Sequence, residues 1–204
     1  MYKEIREIYQ NLPVDRYPHI LRVTNYAIKI AKKLKFNKKD LKIVIISCFL
    51  HDVGYKKQFE NKDHSNHHIY SLKLADKKLR KTNLSKEEIK KIKQSIKTHG
   101  EYEKCKTKYQ KVLYDADKLD KTSFTEVIRR ALIYDDKGDY NDVEIFEKIK
   151  SRMKNNKFHF KFSKKLAKYN RKDLLKAIEK QNKINEMSKV TEEKIINSLE
   201  SIFN

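Results

Sequence analysis

Apolar residues recur at steps of three and four along the first part of the chain. This spacing places them on one face of an α-helix and leaves lysines largely on the other face. The positions are Ile20, Val23, Ala27, Ala31 and Leu34. Residues 40–51 are apolar nearly all round, which is typical of a helix buried at the centre of a bundle. Their β-branched residues would also permit a buried strand, but the helical patterns on either side favour a helix.

Three later segments show the same helical spacing. Ser85 and Glu88 form a capping-box signature, which predicts the start of the second of these helices. The apolar stripes run, in chain order, over residues 69–79, 89–96 and 112–119. Gly54 predicts the end of the buried helix, and residues 55–66 predict a loop because they are polar and carry no clear period.

The clearest break in the chain is DDKGDYND, residues 135–142. A helix is predicted before it over Phe124–Tyr134, and helical patterns follow it near residues 143–154, 163–187 and 191–203. Gly occurs 3 times and Pro 2 times, which disfavours strand-rich folds because these need many turn residues. We therefore expect an all-α helical bundle formed by residues 1–142, with residues 143–204 as a C-terminal helical extension on the same body. A separate helical subdomain is the alternative.

The chain is strongly basic. Its 49 Lys and Arg against 28 Asp and Glu give a formal net charge of +21. Such a field attracts anions, would speed the arrival of phosphorylated substrates, and would favour salt-sensitive contact with nucleic acid. Lys and Asn are abundant everywhere, as an AT-rich genome would produce, and no nucleic-acid motif is recognised. We therefore favour a solvated basic surface over a dedicated nucleic-acid site.

The two cysteines do not form a disulfide framework in this interpretation. Cys48 lies inside an apolar run and Cys105 in a lysine-rich segment, which fits a reducing compartment. The charged N-terminal residues do not resemble a signal peptide, and the longest apolar run, residues 43–50, is too short to span a bilayer. We expect a cytoplasmic protein without membrane contact, and its oligomeric state stays open.

Histidines and aspartates recur at the ends or inner faces of the predicted core helices. A buried carboxylate or imidazole cluster is costly without compensation, and a divalent cation provides it. Facing helices of a bundle can bring such ligands together. The residues at these positions are His19, His51, Asp52, His64, His67, His68, His99, Asp115 and Asp117. His159 lies alone in the tail and is interpreted as a surface or packing residue.

At this point the sequence resembles the HD-domain superfamily of metal-dependent phosphohydrolases, over about residues 15–135. The motifs that carry the resemblance, in the family's order, are His19 in HILRV, the pair His51-Asp52 in FLHDVGY, and Asp117 in DADKLD. His67 in HHIYS and His99 in IKTHG resemble the extra histidines of branches that hold two metal ions. The size and the DADKLD pattern resemble the small stand-alone bacterial HD hydrolases.

The resemblance implies hydrolysis of a phosphoester or phosphoanhydride by a metal-bound hydroxide. His19, His51, Asp52 and Asp117 would bind one divalent metal; a second would be bridged by Asp52 and completed by His67 and His99. Asp52 and His99 are the residues expected to be catalytic. The metal stays open among Mn, Mg, Fe, Co, Ni and Zn, and so does the choice between one ion and two.

Several assignments keep an alternative. Asp115 could replace Asp117 as the ligand, and His64 or His68 could replace His67. Arg22, one turn after His19, could bind a substrate phosphate or a structural carboxylate, and Lys118 is a second phosphate-binding candidate.

The resemblance favours a nucleotide or nucleoside polyphosphate as substrate. A catalytically silent regulatory or binding module is one rival. A di-iron oxygenase on the same fold is the other.

Overall fold

The computed structural model describes residues 16–61, 67–123 and 156–172, and outside these ranges only residues 144, 151, 175, 176, 180, 183 and 193. All regular structure in this part of the chain is helical, which confirms the predicted all-α class. The helices are α1 (Tyr17–Lys33), α2 (Lys38–Leu50), α3 (Tyr55–Glu60), α4 (His67–Leu79), α5 (Lys86–Thr98) and α6 (Lys108–Asp120). A short 3₁₀ turn covers Tyr102–Lys104, and residues 161–172 form a helix that we call α7.

Side-chain caps fix where the central helices begin. The predicted capping box of α5 is confirmed, because the Ser85 hydroxyl accepts from the Glu88 N–H and the Glu88 carboxylate accepts from the Ser85 N–H. Thr107 and Gln110 form a second capping box at the start of α6. Each box satisfies backbone donors that a helix start otherwise leaves unpaired. The starts of two site-bearing helices are therefore set locally by sequence.

The helices pack around an apolar core. α1 contacts α2 and α6, and α5 contacts α2, α4 and α6. Fully buried aliphatic side chains from each of these helices fill the space between them, and each contributes about 1.5 to 3 kcal/mol by leaving water. The largest are Ile20, Ile30, Ile43, Leu50, Leu79, Ile92, Ile96, Leu113 and Leu119. None of the described helices is both long and apolar enough to cross a membrane.

The segment after the buried helix differs from the prediction. α2 ends at Leu50 with His51 as its C-cap, so Gly54 does not end that helix. Residues 55–60 form α3 instead of a loop. Gly54 is needed because α4 passes directly over it. The Gly54 N–H donates to the Ser71 hydroxyl at 2.9 Å. A Cβ at Gly54 would lie 2.2 Å from the Ser71 backbone nitrogen.

The C-terminal part is described only in residues 156–172 and a few isolated positions. Phe158 and Ala167 join the core cluster, and the Asn170 amide donates to the Thr122 hydroxyl at 3.1 Å. This segment therefore packs on the same body as α6. The predicted helix over Phe124–Tyr134, the break at residues 135–142 and the patterns near 143–154 and 191–203 lie almost entirely outside the described residues. The domain boundary at residue 142 stays a prediction.

Candidate metal centre

The carboxylate of Asp52 lies between two pairs of imidazoles. Its Oδ2 atom is 3.5 Å from the Nε2 atoms of both His19 and His51. Its Oδ1 atom is 3.5 Å from Nε2 of His99 and 3.7 Å from Nε2 of His67. The two oxygens of one side chain therefore face two separate sets of nitrogen donors.

A second carboxylate completes the first of these sets. Asp117 Oδ1 lies 3.6 Å from His19 Nε2, and one donor atom each from His19, His51 and Asp117 fall within 4.8 Å of one another. The same holds for His51, Asp52 and His99. All of these side chains are buried. The structure thus brings together groups that could hold a metal ion.

Helix ends aim the imidazoles at the centre. His51 and His99 are the C-caps of α2 and α5. Their Nδ1 atoms lie 2.7 Å from the Cys48 carbonyl oxygen and 2.6 Å from the Ile96 carbonyl oxygen. A carbonyl only accepts, so Nδ1 carries the proton in the neutral ring. The Nε2 lone pair of each ring is then available to a metal.

His19 is oriented by a carboxylate that the sequence analysis did not identify. Its Nδ1 lies 2.7 Å from Asp120 Oδ2, and Arg22 donates to both oxygens of Asp120 at 2.7 and 3.1 Å. Burial raises the pKa of Asp120, but the hydrogen bonds from His19 and Arg22 outweigh it and hold the pKa below its usual value. An ionised carboxylate behind an imidazole fixes the ring and strengthens it as a ligand. Arg22 therefore binds a structural carboxylate.

The protonation states of His51, His67 and Asp52 fit a divalent cation, whereas the contacts of His19 with Asp120 and Asp52 outweigh its burial and raise its pKa. Burial lowers the pKa of both His51 and His67 to about 4, so both rings are neutral at pH 7. Burial alone would raise the pKa of Asp52, but the nearby His51 and Arg16 keep it well below its usual range. Neutral imidazoles and ionised carboxylates are the ligand forms that divalent metals require.

Two buried nitrogen atoms provide an independent test of this fit. Within the described part of the chain, Nε2 of His19 and Nε2 of His51 have no hydrogen-bond partner. A buried polar atom without a partner is costly and calls for an explanation. Both atoms face Asp52, so one cation coordinated by them and by the carboxylate would satisfy all three.

Two cations that the sequence patterns did not single out border the centre. Arg16 donates to Asp52 Oδ2 at 2.8 Å, and its guanidinium lies 3.8 Å from the centre of the Tyr55 ring. Lys121 donates to Asp117 Oδ2 at 2.7 Å. Helical spacing was the available signal, because Lys121 follows Asp117 by four residues. Without knowledge of which face pointed inward, that spacing could not separate it from the many other lysines.

The remaining candidates lie elsewhere or at the edge of the centre. Asp115 accepts hydrogen bonds from the backbone N–H groups of His159 and Phe160 at 2.9 and 3.0 Å, so it holds the C-terminal segment. Asp117, in contrast, faces the imidazole of His19. His68 contacts the His67 ring edge-on, with ring centroids 5.7 Å apart. Of the two, it is His67 whose Nε2 lies 3.7 Å from Asp52 Oδ1. His64 lies outside the described residues.

The phosphate-binding candidate Lys118 and the packing residue His159 each contact an aromatic ring. The ammonium of Lys118 lies 5.1 Å from the centre of the Tyr114 ring. His159 stacks on Tyr102, with ring centroids 4.0 Å apart.

Comparison with known proteins agrees with this geometry. The HD domain family model matches residues 16–122, whereas a search of the curated proteins finds no match. Bacillus subtilis YpgQ in complex with ADP is similar, with 20% identity, TM-score 0.65, and coverage of 89% of this chain and 93% of that chain. An HD-superfamily hydrolase from Bacillus thuringiensis shows 18% identity, TM-score 0.64, and coverage of 88% and 91%.

A predicted HD superfamily hydrolase from an uncultured Thermotogales bacterium shows 19% identity, TM-score 0.63, and coverage of 88% of this chain and 87% of that chain. At these identities the likeness shows a shared fold. The family match covers more than half of the chain and includes every donor residue described above. The chain therefore belongs to the HD-domain family and has the fold of the HD-superfamily hydrolases.

Proposed function

We propose that the protein is a metal-dependent hydrolase that cleaves a phosphoester or phosphoanhydride bond of a nucleotide or nucleoside polyphosphate. The observation that carries the proposal is the Asp52 carboxylate between two imidazole pairs. On one side of it, two buried Nε2 atoms lack a hydrogen-bond partner among the residues that the structure describes. For packing alone, apolar residues would serve better than these buried polar groups.

His19, His51, Asp52 and Asp117 would hold one divalent ion. The other oxygen of Asp52, with His67 and His99, would hold a second. Such ions, when bound, lower the pKa of water and draw charge from phosphoryl oxygens. Asp52 would belong to both sites, so its removal would disable both.

The chain's own cations would bind the substrate. Arg16 and Lys121 place two positive charges directly beside the donor groups, where phosphoryl oxygens carry negative charge. Lys118 follows the ligand Asp117 and stays a further candidate. Arg22 would act through Asp120, by holding His19 in position.

The open side of the centre lies at His67. The His67 side chain is 25% exposed, whereas those of His19, His51 and His99 are nearly inaccessible. Tyr55 stacks on the His67 ring, with centroids 4.5 Å apart and planes 22° apart, and its ring also supports the Arg16 guanidinium. A substrate would therefore enter beside Tyr55, with its phosphoryl group meeting Arg16.

Two observations support a nucleotide substrate. The net charge of +21 favours the approach of anions. The similar Bacillus subtilis YpgQ was solved in complex with ADP.

The direct test is a phosphate-release assay on purified, metal-stripped protein. A panel of nucleotides and nucleoside polyphosphates is incubated with Mn, Mg, Co, Ni or Fe, one metal at a time. We expect release with at least one metal, and Asp52→Ala should lose more activity than the roughly 10- to 100-fold typical of an outer-shell change at a metal site. Asp76→Ala is the matched control, because Asp76 lies on α4 and pairs with Arg80 and Lys93.

The proposal fails if no metal supports phosphate release, or if Asp52→Ala keeps full activity. Nucleotide binding without turnover would instead indicate a regulatory module. Oxygen uptake by anaerobically purified iron-loaded protein, without phosphate release, would indicate the oxygenase alternative.

A further inference from the structure

A cavity of about 480 Å³ lies between the 3₁₀ turn and the C-terminal segment. Its volume falls within the range of small-molecule sites, roughly 300 to 1,000 Å³. The lining includes Tyr102, Asn156, Lys157, Phe158, Lys164 and Arg171. None of these residues belongs to the metal centre, so the cavity is a separate feature of the molecule.

The charge of the lining has one sign. Lys157, Lys164 and Arg171 contribute three cations, and no carboxylate is among the lining residues that the structure describes. Lys157 lies 3.6 Å from Glu103, but both side chains are more than two-thirds exposed, and such a pair contributes little. The described lining therefore carries a net positive charge, and the nearby Asp115 carboxylate offsets part of the Lys164 contribution.

Arg171 is the lining residue that most clearly favours an anionic ligand. Its Nε atom is buried and has no hydrogen-bond partner among the described residues. Partial burial lowers the pKa of this guanidinium, although an arginine stays charged at neutral pH. A planar guanidinium binds phosphate oxygens through two parallel N–H groups, so a phosphate-bearing anion would satisfy it.

The wall opposite α7 is held rigidly. Tyr102 stacks on His159 with ring planes 4° apart and centroids 4.0 Å apart, and Tyr114 contacts both rings edge-on. The Asp115 carboxylate fixes the backbone of residues 159 and 160 through two hydrogen bonds. A ligand would thus meet a wall that already has its bound shape, which reduces the entropy lost on binding.

We propose that this cavity is a binding site for a small anion carrying two or more phosphate charges, distinct from the metal centre. Three cations match such a charge, and the aromatic rings of Tyr102 and Phe158 give the site an apolar side. The inference goes beyond the proposed hydrolysis and does not depend on it, since the described lining residues and the donor groups have no member in common.

The test uses inorganic pyrophosphate as the probe and isothermal titration calorimetry on the full-length, metal-stripped protein. We expect binding that weakens with added salt. The double variant Lys164→Met/Arg171→Met should lose at least about tenfold in affinity, because each substitution removes a charge-assisted hydrogen bond to the phosphate oxygens. The matched control is Lys165→Met/Lys168→Met, which removes the same charge from the same helix but outside this cavity.

A second control separates the cavity from the metal centre. Arg16→Met/Lys121→Met removes the cations beside the donor groups and should leave pyrophosphate binding at the cavity unchanged. The proposal is overturned if pyrophosphate does not bind, if the cavity variant binds like the wild type, or if only the Arg16/Lys121 variant loses binding. Thermal melting of every variant checks that each is folded. Because no metal or turnover is involved, failure here leaves the proposed hydrolysis untouched.

Discussion

Gly54 is the position at which one methyl group should do most harm. It lies in the turn after the HD pair, and α4 passes so close that a Cβ would sit 2.2 Å from the Ser71 nitrogen and 2.6 Å from the His67 carbonyl oxygen. Both neighbours are backbone atoms, which cannot rotate away. Gly54→Ala therefore requires α4 to shift as a unit, and His67 is the first residue of that helix.

The magnitude follows from the size of the clash. Ordinary Cβ contacts begin near 3.4 Å, so α4 must retreat by about 1 Å, a distance at which packed atoms lose much of their attraction. Overpacking of this kind costs about 1 to 3 kcal/mol, occasionally more. For a chain of 204 residues each kcal/mol lowers Tm by about 2 to 4 °C. Because the clash is with backbone atoms, we expect a cost in the upper part of that range, about 2 to 3 kcal/mol. Gly54→Ala should therefore lower Tm by about 4 to 12 °C.

Gly100→Ala provides the matched control. It is also a glycine beside a proposed metal ligand, but a Cβ there meets nothing within 4 Å, so its effect on Tm should stay within about 2 °C. Differential scanning calorimetry of both variants, without metal, measures the difference. Equal shifts for the two variants would refute the close-approach argument. If the proposed function holds, Gly54→Ala should also lower hydrolysis, because His67 moves away from Asp52.

Two more predictions concern buried ionisable groups. Asp115→Ala should lower the free energy of unfolding by about 2 to 5 kcal/mol, because two backbone N–H groups lose their acceptor. Urea unfolding measures this loss, and unchanged stability would contradict the prediction. The metal-free protein should lose stability as pH falls from about 6.5 to about 4. In this window His51 binds a proton in the unfolded chain but not in the folded one, where its pKa is about 4. The resulting loss in the free energy of unfolding is roughly 3 kcal/mol. Urea unfolding at several pH values should show a weaker dependence in His51→Gln, and an identical dependence would argue against it.

The sequence by itself determined much of the helical scaffold. The three- and four-residue spacing identified α1, α4 and α5, and the Ser85–Glu88 signature located the start of α5, because these signals act within one helix. The ordered HILRV, HDVGY and DADKLD motifs indicated the family, which the match over residues 16–122 shows. Such signals need no knowledge of how the helices pack.

Only the tertiary structure decided which oxygen and nitrogen atoms meet. Asp115 and Asp117 share one helix and one residue type, yet one holds the backbone of residues 159 and 160 and the other faces His19. Arg22 was equally suited to a phosphate or a carboxylate until Asp120 was found beside it. Arg16 and Lys121 could not be told from a background of 49 basic residues.

The structure also explained Gly54, whose role is close approach by α4 instead of a helix end. The physical reason is the same in each case. Spacing along a helix defines a face, but the partner of that face comes from residues far away in sequence, and only packing brings them within a few ångströms.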